Sequence, residues 1–137
     1  MSGMDLAELK RIEGPLVDAW NAQDVEAVVA RYTDDLVYID PNTRGPVEGA
    51  AALRRYLTRL FDRWQMRWTV KRIHPLADRD GSAALWRASL TARATGRTAE
   101  IDGMDLVLIE GDRVKRNEVY YDRVALASLA APDEAAP

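Results

Sequence analysis

Cysteine is missing from this chain of 137 residues, and histidine occurs once, as His74. The first absence excludes disulfides, thiolate metal sites and cysteine nucleophiles. The second excludes a histidine-cluster metal site and leaves a serine triad nothing but His74 as its base. No apolar run approaches the ~20 residues of a membrane span, and the N-terminus lacks the charged-then-apolar layout of a signal peptide. No membrane partner is expected, and a cytoplasmic location is the default. Neither sign of charge dominates. The net charge of -3, a pI near 5.2 and arginines interleaved with acids argue against nucleic acid as a partner. No metal and no cofactor are expected.

What is present fits one globular domain over residues 1–137, with loose ends at about 1–4 and 130–137. The apolar share of 47% and charged share of 30% are ordinary for a soluble protein. Leu6, Leu9, Ile12, Leu16 and Trp20 recur at helical spacing, which predicts a helix over about 5–21, kinked or restarted at Pro15. Asp24 caps a second, short helix reaching about Tyr32, Thr33-Asp34-Asp35 turns, and Leu36 to Ile39 forms a short strand ended by Asp40-Pro41. A third helix runs from Gly49 to about Asp62. Alternation then predicts strands around 66–71 and 84–93, with turns at 78–81 and 95–97. Two further strands flank the tight turn Glu110-Gly111-Asp112, and a last helical turn spans Leu126 to Leu129. Helices first and a β-meander afterwards give an α+β fold, a cone-shaped curved antiparallel sheet wrapped over N-terminal helices. Such a cone leaves an apolar pocket at its open end.

Asp105 is the residue that breaks the pattern. It lies between Met104 and Leu106 in an apolar strand, where an ionised carboxylate needs a partner or else stays protonated. Asp102 falls on the opposite strand face and suits a solvated or salt-bridged role. Asp40 has two readings, a catalytic acid or the cap that ends a strand through side-chain-to-backbone bonds. His74, before Pro75, reads as structural. Trp20, Trp64, Trp68 and Trp86 either line a site for a planar or polycyclic ligand or pack the core, and Trp68 and Trp86 are those whose strand faces point inward. Asn117 and Tyr121 share an inward face with Val119. The outward face of Arg87, Ser89, Thr91 and Arg93 is either solvated or the contact of a homodimer.

Trp20-Asn21-Ala22-Gln23-Asp24, Tyr32-Thr33-Asp34-Asp35, Asp40-Pro41, Gly49, Gly103-Met104-Asp105, Glu110-Gly111-Asp112 and Tyr121-Asp122 together resemble the SnoaL-like and ketosteroid isomerase-like branch of the NTF2-like superfamily. The resemblance covers about Leu16 to Leu126 and implies the cone fold just described. It also implies a small-molecule enzyme doing cofactor-independent acid/base proton transfer on an apolar or polycyclic carbonyl compound, as an isomerase or a polyketide cyclase. The other function on this scaffold is a non-catalytic carrier of hydrophobic ligands. By resemblance Asp40 is the base, and Asp105 is the protonated acid that donates to an oxyanion. In the cyclases the residue like Asp105 is instead a general acid or acid/base. The isomerase's oxyanion tyrosine would fall near Leu16, which cannot donate, so Tyr32, Tyr56, Tyr120 or Tyr121 would have to replace it. Val119 stands where the epoxide-hydrolase branch needs an aspartate, which counts against hydrolysis. Leu16, Trp20, Tyr32, Tyr56, Trp68, Trp86, Asn117 and Tyr121 are the expected substrate contacts.

Overall fold

The computed structural model describes residues 3–131. The loose ends expected at 1–4 and 130–137 fall mostly outside the described residues. Of those inside, Gly3 donates its amide to the Ala77 carbonyl and Met4 packs against the core.

Helix α1 (Leu6–Ala22) starts where the Asp5 carboxylate accepts the Glu8 amide at 2.9 Å. It runs through Gly14-Pro15 as one element, where a kink or restart was expected, although Pro15 has no amide to offer the Arg11 carbonyl. Its buried stripe holds Leu9, Ile12, Leu16, Ala19 and Trp20. Helix α2 (Val25–Val29), capped by Asp24, stops short of Tyr32. Helix α3 (Ala50–Arg63) buries Leu53, Leu57, Leu60 and Phe61 along one face. Leu53 and Leu57 are wholly buried, each contributing roughly 1.5–3 kcal/mol. Helix α4 (Arg123–Ala130) is longer than the single turn expected.

The six strands are β1 (Tyr32–Ile39), β2 (Val47–Glu48), β3 (Trp64–Pro75), β4 (Gly81–Ala92), β5 (Thr98–Glu110) and β6 (Arg113–Tyr120). They form one curved, unclosed sheet in the order β2-β1-β6-β5-β4-β3. Hairpins make most pairings antiparallel, but β1 lies parallel to β6. No tight turn joins those two strands, so none dictates their direction. Thr33-Asp34-Asp35 is not a turn: it is a bulged part of β1, whose register slips between Tyr32 and Val37. Lys115 is likewise an extra residue in β6, since Ile109 faces Val114 while Leu108 faces Arg116. That bulge lets both Val114 and Asn117 point inward although they are three apart. Ala84, Trp86, Ala88, Leu90 and Ala92 of β4 are buried, as strict alternation predicts. No helix among the described residues is long and apolar enough to cross a membrane.

Strand β3 is an edge, and α1 covers half of it. The Asn21 side chain accepts from the Trp68 amide at 2.7 Å and donates to the Trp68 carbonyl at 3.0 Å. Gln23 repeats the device, donating to the Trp64 carbonyl at 2.8 Å and accepting from the Met66 amide at 3.2 Å. Two amide side chains thereby stand in for a neighbouring strand and lock the helix across the sheet.

Gly103 allows the Trp86 indole to lie against β5. A Cβ there would meet the ring at 2.4 Å and the Tyr120 carbonyl at 2.8 Å. Gly103→Ala should therefore lower stability by about 1–3 kcal/mol in urea denaturation, and red-shift Trp86 emission as the indole is displaced.

Candidate functional site

Helix α1 and the concave face of the sheet enclose a small cleft of about 70 Å³. Leu16, Val17 and Trp20 line it from the helix, and Trp68, Val70, Trp86, Val107 and Val119 from the sheet. Into this apolar wall three polar side chains project: Asp105, Asn117 and Glu13.

Asp105 is enclosed by protein except where it opens to the cleft. Its Oδ1 accepts from the Trp86 indole N–H at 2.7 Å and its Oδ2 from the Asn117 amide at 3.2 Å. Asn117 is oriented from behind, because its Oδ1 accepts from the Tyr32 hydroxyl at 2.8 Å. Tyr32 in turn accepts from the Trp20 indole at 3.3 Å. Burial raises the Asp105 carboxyl from 3.8 to about 6, against the pull of its two donors and with help from the Asp40 charge. At neutral pH it is mostly the carboxylate. Both of its oxygens accept from N–H donors.

Glu13 is the acid that the sequence reading missed. It is 4% exposed, and its Oε2 accepts from the Ser82 hydroxyl at 2.7 Å. Burial raises it from 4.5 to about 7, with the Asp105 charge adding to the rise. A signal was available: position 13 lies inside the stripe marked by Leu9, Ile12 and Leu16.

Asp40 is buried but is not among the residues lining the cleft. Its Oδ1 accepts the amides of Asn42 (2.7 Å) and Thr43 (3.0 Å). Its Oδ2 accepts the hydroxyls of Tyr38 at 2.8 Å and Tyr56. Four donors thus meet it at the end of β1, where it makes the side-chain-to-backbone bonds of a strand cap. Tyr56 is thus turned to Asp40, and the Tyr121 hydroxyl accepts from Asn42 Nδ2 at 2.7 Å while its ring packs edge-on to Trp86. Burial and the Asp40 charge raise both phenols well above their ordinary value. Of the expected contacts, Leu16, Trp20, Trp68, Trp86 and Asn117 line the cleft. Tyr32 reaches it through Asn117, whereas Tyr56 and Tyr121 stand behind. Tyr38 lines it unforeseen. Asp102 is outward and bound to Arg87 (3.0 Å) and Lys71 (3.2 Å), which hold it down to about 2. Among the described residues no group of three or more acids or histidines is placed to hold a metal ion.

A profile of the SnoaL-like domain family matches residues 15–117. The chain belongs to the SnoaL-like family. No curated protein matches it. Among solved structures it is similar to an NTF2-like protein of unknown function from Burkholderia pseudomallei, at 16% identity and a TM-score of 0.81, covering 94% of this chain and 100% of that one. It also resembles a ketosteroid isomerase-like protein from Erwinia carotovora atroseptica, at 22% identity and TM-score 0.69, covering 85% and 95%. A third likeness is to SalBIII, an epoxide hydrolase/cyclase-like enzyme of pyran ring formation in salinomycin, at 20% identity and TM-score 0.78, covering 88% and 95%. At these identities the likeness establishes the fold, and the SnoaL-like cleft must be read from its own residues.

Glu13 links this cleft to stability. Its raised value means that the protonated form's contribution is complete below the ordinary 4.5 and is lost as pH rises through about 7. From pH 5 to 8 the loss should be on the order of 2–3 kcal/mol. Glu13→Gln, which keeps an acceptor for Ser82, should flatten that fall in urea titrations run across the range.

Proposed function

We propose that this SnoaL-like protein is a cofactor-independent acid/base enzyme that moves a proton on a small, largely apolar carbonyl compound, as an isomerase or a cyclase. The observation that carries this is a pair of carboxyls, half-buried Asp105 and buried Glu13, facing one apolar cleft with different partners. Asp105, ionised and aimed by Trp86 and Asn117, takes a proton from the carbon next to the carbonyl. Glu13 in its protonated form donates to the oxygen on which charge develops, where a preorganised donor has most effect. Return of the proton to another carbon gives isomerisation, and attack of the enolate on a second carbonyl gives ring closure. Asp40, in this reading, keeps the β1 end and Tyr56 in place instead of acting as the base. The homodimer belongs to the same proposal, with the outward face of β4 at Arg87, Ser89 and Thr91 as its contact.

A carrier built on the same cleft is the second reading. It is favoured by Leu16, which leaves α1 without a phenol to stabilise an oxyanion.

Deuterium exchange next to the carbonyl of small cyclic and aryl ketones, followed by NMR, separates the two. The enzyme should exceed buffer catalysis, and Asp105→Asn and Glu13→Gln should each slow it about 10²–10⁴-fold. Because the base must be ionised and the acid protonated, the rate should peak between pH about 6 and about 7, with limbs belonging to the pair. Binding without exchange, or exchange that neither variant slows, rejects this assignment.

A further inference from the structure

The cleft is too small for a substrate. Its 70 Å³ admits one functional group, while sites for whole small molecules run to roughly 300–1,000 Å³. The body of any ligand must therefore lie outside it. A groove of about 560 Å³ between α1 and the far half of β3 provides that space. Glu13, Val17 and Val70 line both, so the groove adjoins the cleft across these three residues.

Local structure explains why it is open. Asn21 and Gln23 close α1 onto β3 only from Trp64 to Trp68. Beyond that, among the described residues, no hydrogen bond joins the helix to the strand. The register of β3 slips between Val70 and Arg72, and Gly14 presents no side chain to the space. A Cβ at Gly14 would meet nothing within 4 Å. The helix and strand run antiparallel, because the end of α1 meets the start of β3. Lys10 and His74 therefore share the outer end, about 10–13 Å from Val17 and Val70 by helix and strand rise.

The lining is divided. Leu6, Val17, Val70 and Ile73 make an apolar floor. Lys10, Lys71, Arg72 and His74 supply basic groups, against Asp18 at the inner end and Glu13 at the join. Lys71 is held by Asp102. Lys10 and Arg72 have no ion pair among the described residues, so the outer end has two cations unmatched by acids, with the His74 imidazole beside them.

We propose that this groove is the subsite for the substrate's body, and that the substrate is an elongated apolar carbonyl compound ending in a carboxylate. The carboxylate lies against Lys10, Arg72 and His74, the chain crosses the apolar floor, and the carbonyl reaches Glu13 and Asp105. This rests on the acid/base reading for the carbonyl end but has its own readout. The probe is 9-oxodecanoate, compared with 10-hydroxydecan-2-one, which has the same ketone and chain without the charge. Calorimetric titration of the full chain should show the oxo acid binding at least tenfold more tightly. Lys10→Gln/Arg72→Gln should bring it down to the level of the hydroxy ketone. Gly14→Leu, whose side chain enters open space and whose helix propensity is better, should weaken both ligands at least tenfold with the circular dichroism unchanged. Equal affinity for the two ligands, binding of neither, or a preference that survives the double variant overturns the subsite. Asp105→Asn should keep the preference. A preference without proton exchange in the wild type would reject the enzyme and leave the subsite standing, and exchange without preference would do the reverse.

Discussion

The contact between Asn117 and Asp105 is the one on which the rest of the site depends. A carboxyl in an apolar cleft has two ways to persist, as a neutral acid or as an anion with donors. Asn117 and Trp86 supply the donors, and each has been positioned at some distance in the fold. Trp86 reaches Asp105 because Gly103 yields the space beneath its ring. Asn117 faces inward because β6 carries an extra residue at Lys115, and its amide is oriented by Tyr32, itself met by Trp20 from α1. Remove the bulge and strand alternation would turn the amide to the other face.

The two acids balance opposite effects. Burial raises both, but Asp105 has two N–H donors opposing the rise and Glu13 a single hydroxyl. The difference leaves one mainly charged and the other close to half-protonated at neutrality. Neither state comes from residue type alone, since glutamate and aspartate differ little in water. Asp40 is as buried as Glu13 yet has four donors, two of them backbone amides. Those four donors tie it to the loop after β1 and to Tyr38 and Tyr56.

Much of this was legible in the sequence, and the parts that were not have a common cause. Alternation along β4 and the apolar run of β5 made Asp105 conspicuous, because an acid in a hydrophobic strand violates a two-residue period. The strand-ending Asp40-Pro41 was also readable, since an Asx cap is local. Glu13 was legible only in its position within the stripe of α1, and its burial was not, because it sits beside Gly14-Pro15 in a charged stretch and its partner Ser82 is 69 positions away. Thr33-Asp34-Asp35 has turn composition, yet pairing with β6, far along the chain, keeps it within β1. Tyr56 looked available as a donor until α3 carried it to Asp40. Local chemistry announced itself, while long-range partners had to be seen.

Gly14 and Pro15 side by side in α1 have one more effect. Glycine is about 1 kcal/mol and proline about 3 kcal/mol less favourable than alanine inside a helix, and the Arg11 carbonyl lacks its usual donor. Packing of Leu9, Ile12 and Leu16 holds the helix together across this weak turn, but its outer side, at Gly14, is exposed. The wall of the groove is therefore the most yielding turn of an otherwise well-clamped helix. Small bends of the backbone there would widen or narrow the groove and carry Glu13 with them, while Asp105 keeps its place on β5.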